Sequence, residues 1–401
     1  MIEVNDLSFS YGDRPVLRNV SFSAQSGRLV AVLGPNGVGK STLFSVFAFL
    51  KECLVSNVAK AVQMYGGYRE LVSRGHESEN ILIEIQYRMP IAGRERLVTY
   101  HLEFGPSEKQ RIVVKSEYLS YKRASYGSPF HFMDFKEGRG YAISNESDFS
   151  KPDTELQREK QDLGATDILA LKGLGQFSRF TAANEFRKMI EGWHVSDFHI
   201  EAAHGSKDMS ADAEHLNKNG DNLQNVANTI REQYPEVFQK ILDKMKSRVP
   251  GIGSIRSEIT QDNRLLLEFQ DSSFKDPFID KYVSDGTLKM FAYLVLLNDP
   301  APHPLLCIEE PENQLYPHLL DELVEEFREY TGRGGQVFVS THSPALLNAA
   351  EVREVFWFRK QNGYSEIFRA SDNEQIVAYM KDGDKMGYLW NQGLFTGADP
   401  S

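Results

Sequence analysis

The chain has 401 residues, 41% hydrophobic and 25% charged, enough to bury a large core divided among two or three lobes. Its formal net charge of −11 excludes a protein that coats nucleic acid over its whole surface, though a local basic groove stays open. Two distant cysteines, Cys53 and Cys307, exclude a disulfide scaffold and read as core thiols of a reducing compartment.

In chain order, β-type runs come first, at residues 2–4, 7–11, 20–22 and 29–33, with Asp13 and Gly27 near the turns. Glu3 and Asp6 break any N-terminal apolar run, so no signal peptide is expected. Tyr11 places an aromatic ring upstream, either to stack on a nucleotide base or as an ordinary strand tyrosine. The apolar run 29–33 then leads into Gly34-Pro35-Asn36-Gly37-Val38-Gly39-Lys40-Ser41-Thr42, followed by an apolar stretch dense enough for a buried helix. Strand, glycine-rich turn and helix are the setting in which G-x-x-x-x-G-K-[ST] binds phosphate. Gly37 and Gly39 let backbone N–H groups approach the phosphate oxygens, and Lys40 adds a full positive charge to the helix N-terminus. Ser41 has a hydroxyl placed to ligate Mg²⁺, and Asn36 and Thr42 complete the candidate phosphate-binding set.

Gly66-Gly67 reads as a turn into a short helix, and extended runs at 81–87, 97–104 and 111–119 predict an antiparallel meander. Residues 120–160 read as loops with one hairpin near 132–144. From 162 to 246 the pattern predicts helices, with apolar positions at Leu169, Leu171, Leu174 and Phe177, then Phe186, Met189 and Ile190, then Leu223, Val226 and Ile230, then Val237, Ile241 and Met245. Strands resume at 254–260 and 264–269. The expected division is an N-terminal lobe (1–160), a helical insert (161–253) and a C-terminal lobe (254–401). The longest apolar stretches, such as 291–297, are too short to span a bilayer, and a cytoplasmic location is expected.

The last third alternates helix and strand, which predicts a largely parallel sheet with helices on its faces. Three segments in it carry chemistry. Ser284 and Gly286 stand before an apolar helix, either as an anion site at a helix N-terminus or as a plain N-cap. Leu305-Leu306-Cys307-Ile308-Glu309-Glu310 is an apolar strand ending in two acids. Beside the phosphate-loop strand it would bring Glu309 to a magnesium ion and Glu310 to the water that attacks a γ-phosphate. Adjacent strand residues point oppositely, so both acids share a site only if the strand ends at Glu310, as Pro311 suggests. His342, after the next strand, can hydrogen-bond the γ-phosphate and the water. Two basic groups, Lys109, Arg111, Lys115, Lys122 and Arg123, and Lys240, Lys244, Lys246 and Arg248, are candidate nucleic-acid contacts or merely solvated faces.

These four segments in this order resemble the ATP-binding-cassette type of ATPase, and within it the RecF-like and SMC-like branch. The stand-alone AAA-family ATPases related to OLD-family ATPase domains are most similar, through Ile308-Glu-Glu-Pro-Glu-Asn313, Ser340-Thr-His-Ser-Pro344, Gly220-Asp-Asn-Leu223 and the segment 386–395. The first 45 residues resemble instead the ATP-binding subunit of an ABC transporter, in which an aromatic at the place of Tyr11 stacks adenine. The resemblance implies an ABC-type P-loop NTPase of α/β class with a mixed, largely parallel sheet, an antiparallel meander and a helical insert. It implies ATP and Mg²⁺, hydrolysis with Glu310 and His342 as catalytic residues, and a homodimer in which Ser284 and Gly286 complete the partner's site. It further implies a switch acting on DNA or a separately encoded effector, in repair or anti-phage defence, with the transporter subunit as the alternative. Asp285, Thr287 and Glu309 depart from the family pattern, and Gln63, Gln86 and Gln176 are the candidates for a glutamine contact to the metal.

Overall fold

The computed structural model describes residues 2–11, 14–24, 29–72, 76–123, 128–145, 155–198, 200–209, 213–361 and 364–398, with the backbone alone for 2–24 and 364. The chain opens with β1 (Ile2–Tyr11), β2 (Arg14–Ala24) and β3 (Leu29–Leu33), and the phosphate loop joins β3 to α1 (Lys40–Val55). After α2 (Val58–Met64) and α3 (Tyr68–Leu71) come β4 (Ile81–Ile91), β5 (Arg94–Pro106), β6 (Ile112–Tyr121), β7 (Phe130–Lys136), β8 (Arg139–Ile143) and β9 (Arg158–Asp162). Residues 161–253 carry α4 (Ala170–Leu174), α5 (Thr181–Glu191), β10 (His194–Ser196), α6 (Ile200–Ala203), β11 (Lys207–Asp208), α7 (Leu223–Gln233) and α8 (Pro235–Arg248). It is followed by β12 (Ile252–Ile259), β13 (Arg264–Asp271) and β14 (Phe278–Ile279). The last third holds α9 (Asp285–Leu297), β15 (Leu305–Glu309), α10 (His318–Gly332), β16 (Gln336–Ser340) and α11 (Pro344–Ala349). It ends with β17 (Val355–Gln361), β18 (Tyr364–Arg369), α12 (Glu374–Lys381) and α13 (Met386–Asn391).

Fourteen strands form one sheet in the order β10-β15-β16-β3-β17-β18-β2-β1-β4-β5-β6-β7-β8-β9. The first five run parallel, and the meander from β4 to β9 is antiparallel throughout. This is the expected mixed α/β architecture. The chemistry of the strands explains the split. β3 and β16 are buried along their whole lengths, as strands with helices on both faces must be. In β4, by contrast, burial alternates, with Ile81, Ile83, Ile85, Tyr87, Met89 and Ile91 inside.

The pleat of β15 and β16 separates two cores. Leu305, Cys307 and Phe338 face the cluster built on α1, α2, α4 and α5, whereas Leu306, Ile308, Val337 and Val339 face the one built on α7 to α10. Both cysteines are free and buried, and burial pushes their thiols well above the ordinary range, so neither is a nucleophile. Among the described residues no helix is long and apolar enough to cross a membrane.

Four expectations change. The stretch 162–246 is not purely helical, because β10 joins the main sheet in parallel with β15. β9 extends the meander within the region read as loops. Phe177 lies past the end of α4 and is 55% exposed, so it is no core position. The acidic strand β15 is not beside β3, since β16 lies between them.

Candidate nucleotide site

The parallel strands β15, β16 and β3 deliver three loops to one edge of the sheet, the carboxyl edge where such sheets bind ligands. Gly39, at φ +106°, caps α1, and Gly37, at φ +73°, turns the loop before it. Asn36 and Gly37 are exposed at the loop tip, Ser41 is exposed on the first turn of α1, and Thr42 is buried. The Lys360 ammonium donates to the Gly37 carbonyl at 3.3 Å and the Ser365 hydroxyl to that of Val38, so β17 and β18 fix the loop from behind.

Lys40 is buried. Its ammonium donates to the carbonyls of Gly34 at 2.7 Å and Pro35 at 3.3 Å and lies 2.8 Å from His342 Nε2. Burial lowers its pKa to about 8, against the pull of the Glu310, Glu312 and Glu309 carboxylates. Burial, with Lys40 beside it, also lowers His342, which makes it a neutral imidazole accepting from the ammonium through Nε2.

The Ser41 hydroxyl donates to Glu309 Oε2, so the last residue of β15 meets the first turn of α1 across β16. Burial raises the Glu309 carboxyl, and Asp197, just past the end of β10, raises it further. A hydroxyl facing a carboxylate is an oxygen donor set that suits Mg²⁺.

Glu310 solves the problem of two neighbouring acids. The strand ends at Glu309, and Glu310 takes a positive φ of +39°, a strained conformation for a residue with a side chain. Its N–H still donates to the Ser340 carbonyl of β16 at 3.0 Å. Its carboxylate approaches His342 Nε2 at 3.5 Å and accepts from Asn313 Nδ2 at 3.0 Å.

Two residues of this site carried no signal by themselves. Glu312 accepts from the Thr341 hydroxyl at 2.8 Å and from the His342 N–H at 2.6 Å, and burial raises its carboxyl. It therefore holds the histidine loop to the acidic turn. Lys289, buried on α9, donates to the Asn313 carbonyl at 2.7 Å and ties the helix after Ser284 to the same turn. Glu312 lies inside the Ile308–Asn313 segment and Lys289 in the apolar helix after Ser284, neither with a spacing that marks a role. Asp197 could not be found, because β10 was not predicted.

The match to family profiles decides the classification. Residues 29–348 match the family described as "AAA domain, putative AbiEii toxin, Type IV TA system". The chain belongs to this AAA-domain family. It is a P-loop protein of an ATP-binding family.

Short stretches also match ABC ATP-binding proteins. The "Putative HMP/thiamine import ATP-binding protein YkoD" of Bacillus subtilis is 50% identical over 50 residues, 12% of this chain and 9% of that protein. The "Energy-coupling factor transporter ATP-binding protein EcfA" of Methanothermobacter thermautotrophicus is 58% identical over 45 residues, 11% of this chain and 14% of its own. These matches thus span a small fraction of the relatives' lengths. Among solved structures, an SmcHead bound to the C-winged helix domain of ScpA has a TM-score of 0.51 at 13% identity. The alignment covers 92% of this chain and 95% of that one, a likeness of fold alone.

The remaining residues of the AAA-domain chain fall as follows. Ser284 caps α9, accepting from the Thr287 N–H at 3.3 Å, so the plain N-cap reading is realised. Gly286 leaves no space for a side chain, since a Cβ there would stand 2.8 Å from the Gln314 carbonyl oxygen. Both line a depression with Tyr316, Pro317 and His318, separate from the Lys40 cluster. Tyr11 ends β1 with its backbone paired to Arg14, while its ring, Asp13 and Gly27 lie outside what is described. Gln63 is exposed on α2, Gln86 sits within β4, and Gln176 donates to the Lys172 carbonyl at 3.3 Å. None of the three stands with Ser41 and Glu309.

Among the described residues, several of the candidate basic side chains are ion-paired. Lys240, Lys244 and Arg248 on α8 are paired with Glu322, Glu326 and Glu329 of α10. Lys109 and Arg111 precede β6 while Lys122 and Arg123 follow it, about 30 Å apart at the rise of a strand. Lys115 pairs with Glu137.

Proposed function

We propose that the chain hydrolyses ATP as a switch, two copies closing head-to-tail on two nucleotides. The observation that carries this reading is the convergence of Lys40, Ser41, Glu309, Glu310 and His342 at one sheet edge. Lys40 exchanges its loop carbonyls for the β- and γ-phosphates, and the exposed N–H groups of the loop receive the remaining phosphate oxygens. Ser41 and Glu309 would hold Mg²⁺, which would offset charge on the phosphates. Glu310 takes the proton of the attacking water, and its strained backbone aims it there while Asn313 holds its second oxygen. His342, neutral and fixed by Glu312, donates an imidazole N–H to the γ-phosphate once Lys40 has turned to the nucleotide.

Ser284 and Gly286 lie apart from the phosphate loop of their own chain, which supports their use by a partner copy. The family description, a toxin of a type IV toxin–antitoxin system, favours a defence role with a separately encoded effector over repair. Replacing Glu310 with Gln tests the base assignment. The variant is expected to bind Mg-ATP as the wild type does and to hydrolyse it at least a hundredfold more slowly, within the range general-base removal gives. Wild-type turnover in Glu310→Gln would remove Glu310 from that role.

A further inference from the structure

At the far end of α1 from the phosphate loop, three histidines and an aspartate meet. Lys51, which marks this end, lies eleven residues after Lys40, ~16 Å down the helix. It borders a cavity of about 430 Å³ together with His194, His215 and His303. His194 opens β10, His215 lies in the loop before α7, and Asp299 and His303 lie between α9 and β15. His215, Asp299 and His303 each offer a ligand atom within 4.8 Å of the others. His194 stacks on His303 with ring centroids 4.8 Å apart.

The hydrogen bonds fix what these rings can do. His303 Nδ1 donates to the Gly192 carbonyl at 2.9 Å, so its Nε2 carries the lone pair, and that atom is buried without a partner. His194 Nε2 is likewise buried and unpartnered, and both residues are more than nine-tenths buried. A buried imidazole nitrogen with no donor to accept from costs free energy that a core ring would normally avoid. His215 Nδ1 faces Asp299 Oδ2 at 2.7 Å, and Asp299 Oδ1 accepts from the Ala301 N–H at 2.8 Å. A carbonyl fixing the tautomer of His303 is an outer contact of the kind histidine metal ligands use, and Asp299 adds a carboxylate oxygen beside the His215 ring.

We propose that this cluster is a binding site for a transition metal of the zinc class, held by His215, Asp299 and His303, with His194 stacked on His303 as a wall of the site. Imidazole-rich donors select zinc, cobalt, nickel or copper over magnesium, so the site is chemically distinct from Ser41 and Glu309. Glu52 and Glu191 line the same cavity and offset the Lys51 ammonium, which donates to the Trp193 carbonyl at 2.7 Å. The surrounding backbone is built to hold the ligands still. Asn222 donates to the His215 carbonyl at 2.9 Å and accepts from the Asn217 N–H at 2.9 Å, which gives the Gly220-Asp-Asn-Leu223 segment a physical role. The Tyr330 hydroxyl donates to the His303 carbonyl at 2.7 Å. A bound ion would fasten the loop before α7, through His215, to the lead-in of the acidic strand β15.

The test uses the untagged full chain, stripped with a chelator and then titrated with Zn²⁺ against a competing indicator, with elemental analysis of the dialysed product. One zinc per chain is expected, with a rise in Tm. His215→Ala, at a half-exposed position that keeps the fold, is expected to weaken binding at least tenfold. Asp299→Asn should weaken it ten- to a hundredfold, and Ser41→Ala should leave it unchanged. Cobalt in place of zinc should give the visible absorption of a tetrahedral nitrogen and oxygen site, lost in His215→Ala. No stoichiometric zinc, or equal affinity in His215→Ala and wild type, would overturn the proposal.

Discussion

Lys40 is the residue whose chemistry is most exposed to measurement. Its pKa of about 8 lies below that of a free lysine because it is buried. Below pH 8 the ammonium is charged and meets the triphosphate as it stands. Above pH 8 the free protein has lost that proton, and binding ATP must take it up again. Linkage then sets the direction: ATP affinity falls as pH rises past about 8, by up to roughly tenfold per pH unit. Calorimetry from pH 7 to 9.5 checks this, and Lys40→Arg, charged throughout, should flatten the profile while Lys40→Ala binds weakly at every pH. A flat wild-type profile would mean that the lysine stays charged. The motif residues were legible in the sequence because phosphate chemistry restricts both type and spacing. Glu312 was not legible, because a carboxylate that only receives the His342 N–H and the Thr341 hydroxyl has no spacing rule.

The elements explain a segment that similarity alone had marked. The segment beginning at Met386 forms α13, which packs on α11 directly behind His342, and Gly387 is its point of closest approach. A Cβ at Gly387 would stand 2.2 Å from the Pro344 carbonyl oxygen, and backbone cannot move aside as a side chain can. Gly387→Ala is therefore expected to cost roughly 1–3 kcal/mol by overpacking and to loosen the histidine loop. Urea unfolding reads the stability and ATP turnover reads the loop; wild-type values of both would show that α13 yields freely. On the other face, Glu117 of β6 serves as the missing cap of α4, accepting from the N–H groups of Ala170 and Leu171 and from the Tyr100 hydroxyl. Burial pushes its carboxyl up to about 7 against those three donors. Glu117→Gln puts an NH₂ against one of them and should destabilise by about 1–3 kcal/mol, lowering Tm with ATP binding retained. Long periodic strands and helices were legible before the fold was known. β10 was not, because three residues between helices carry no period, and its pairing with β15 is decided by tertiary contacts.

At the scale of the whole molecule, the sequence order of motifs did not give their spatial order. The histidine strand lies between the phosphate strand and the acidic strand, so the acids reach Ser41 across it. The basic residues of α8 are held by α10, which turns a candidate contact surface into an interhelical ion-pair network around the nearly buried Glu326. In the proposed pair one copy offers the other the exposed N-cap at Ser284, flanked by Tyr282 and Tyr316, which are 72% and 69% exposed. In a twofold head-to-tail pair each nucleotide takes Lys40 from one copy and Ser284 from the other. Ser284→Arg should therefore prevent the dimer that Glu310→Gln accumulates with Mg-ATP, as read by light scattering on a sizing column. Mixing separates this from simple damage to the fold. Each variant alone, Lys40→Ala or Ser284→Arg, spoils both sites of any pair it could form, but a mixed pair places both lesions in one site and leaves the other intact. A one-to-one mixture of the two inactive proteins should therefore recover turnover that neither has alone, at most about a quarter of wild type if pairing were random and the sites acted independently. A mixture no more active than its parents, together with a Glu310→Gln protein that stays monomeric with Mg-ATP, would mean that Ser284 serves only as the cap of its own helix.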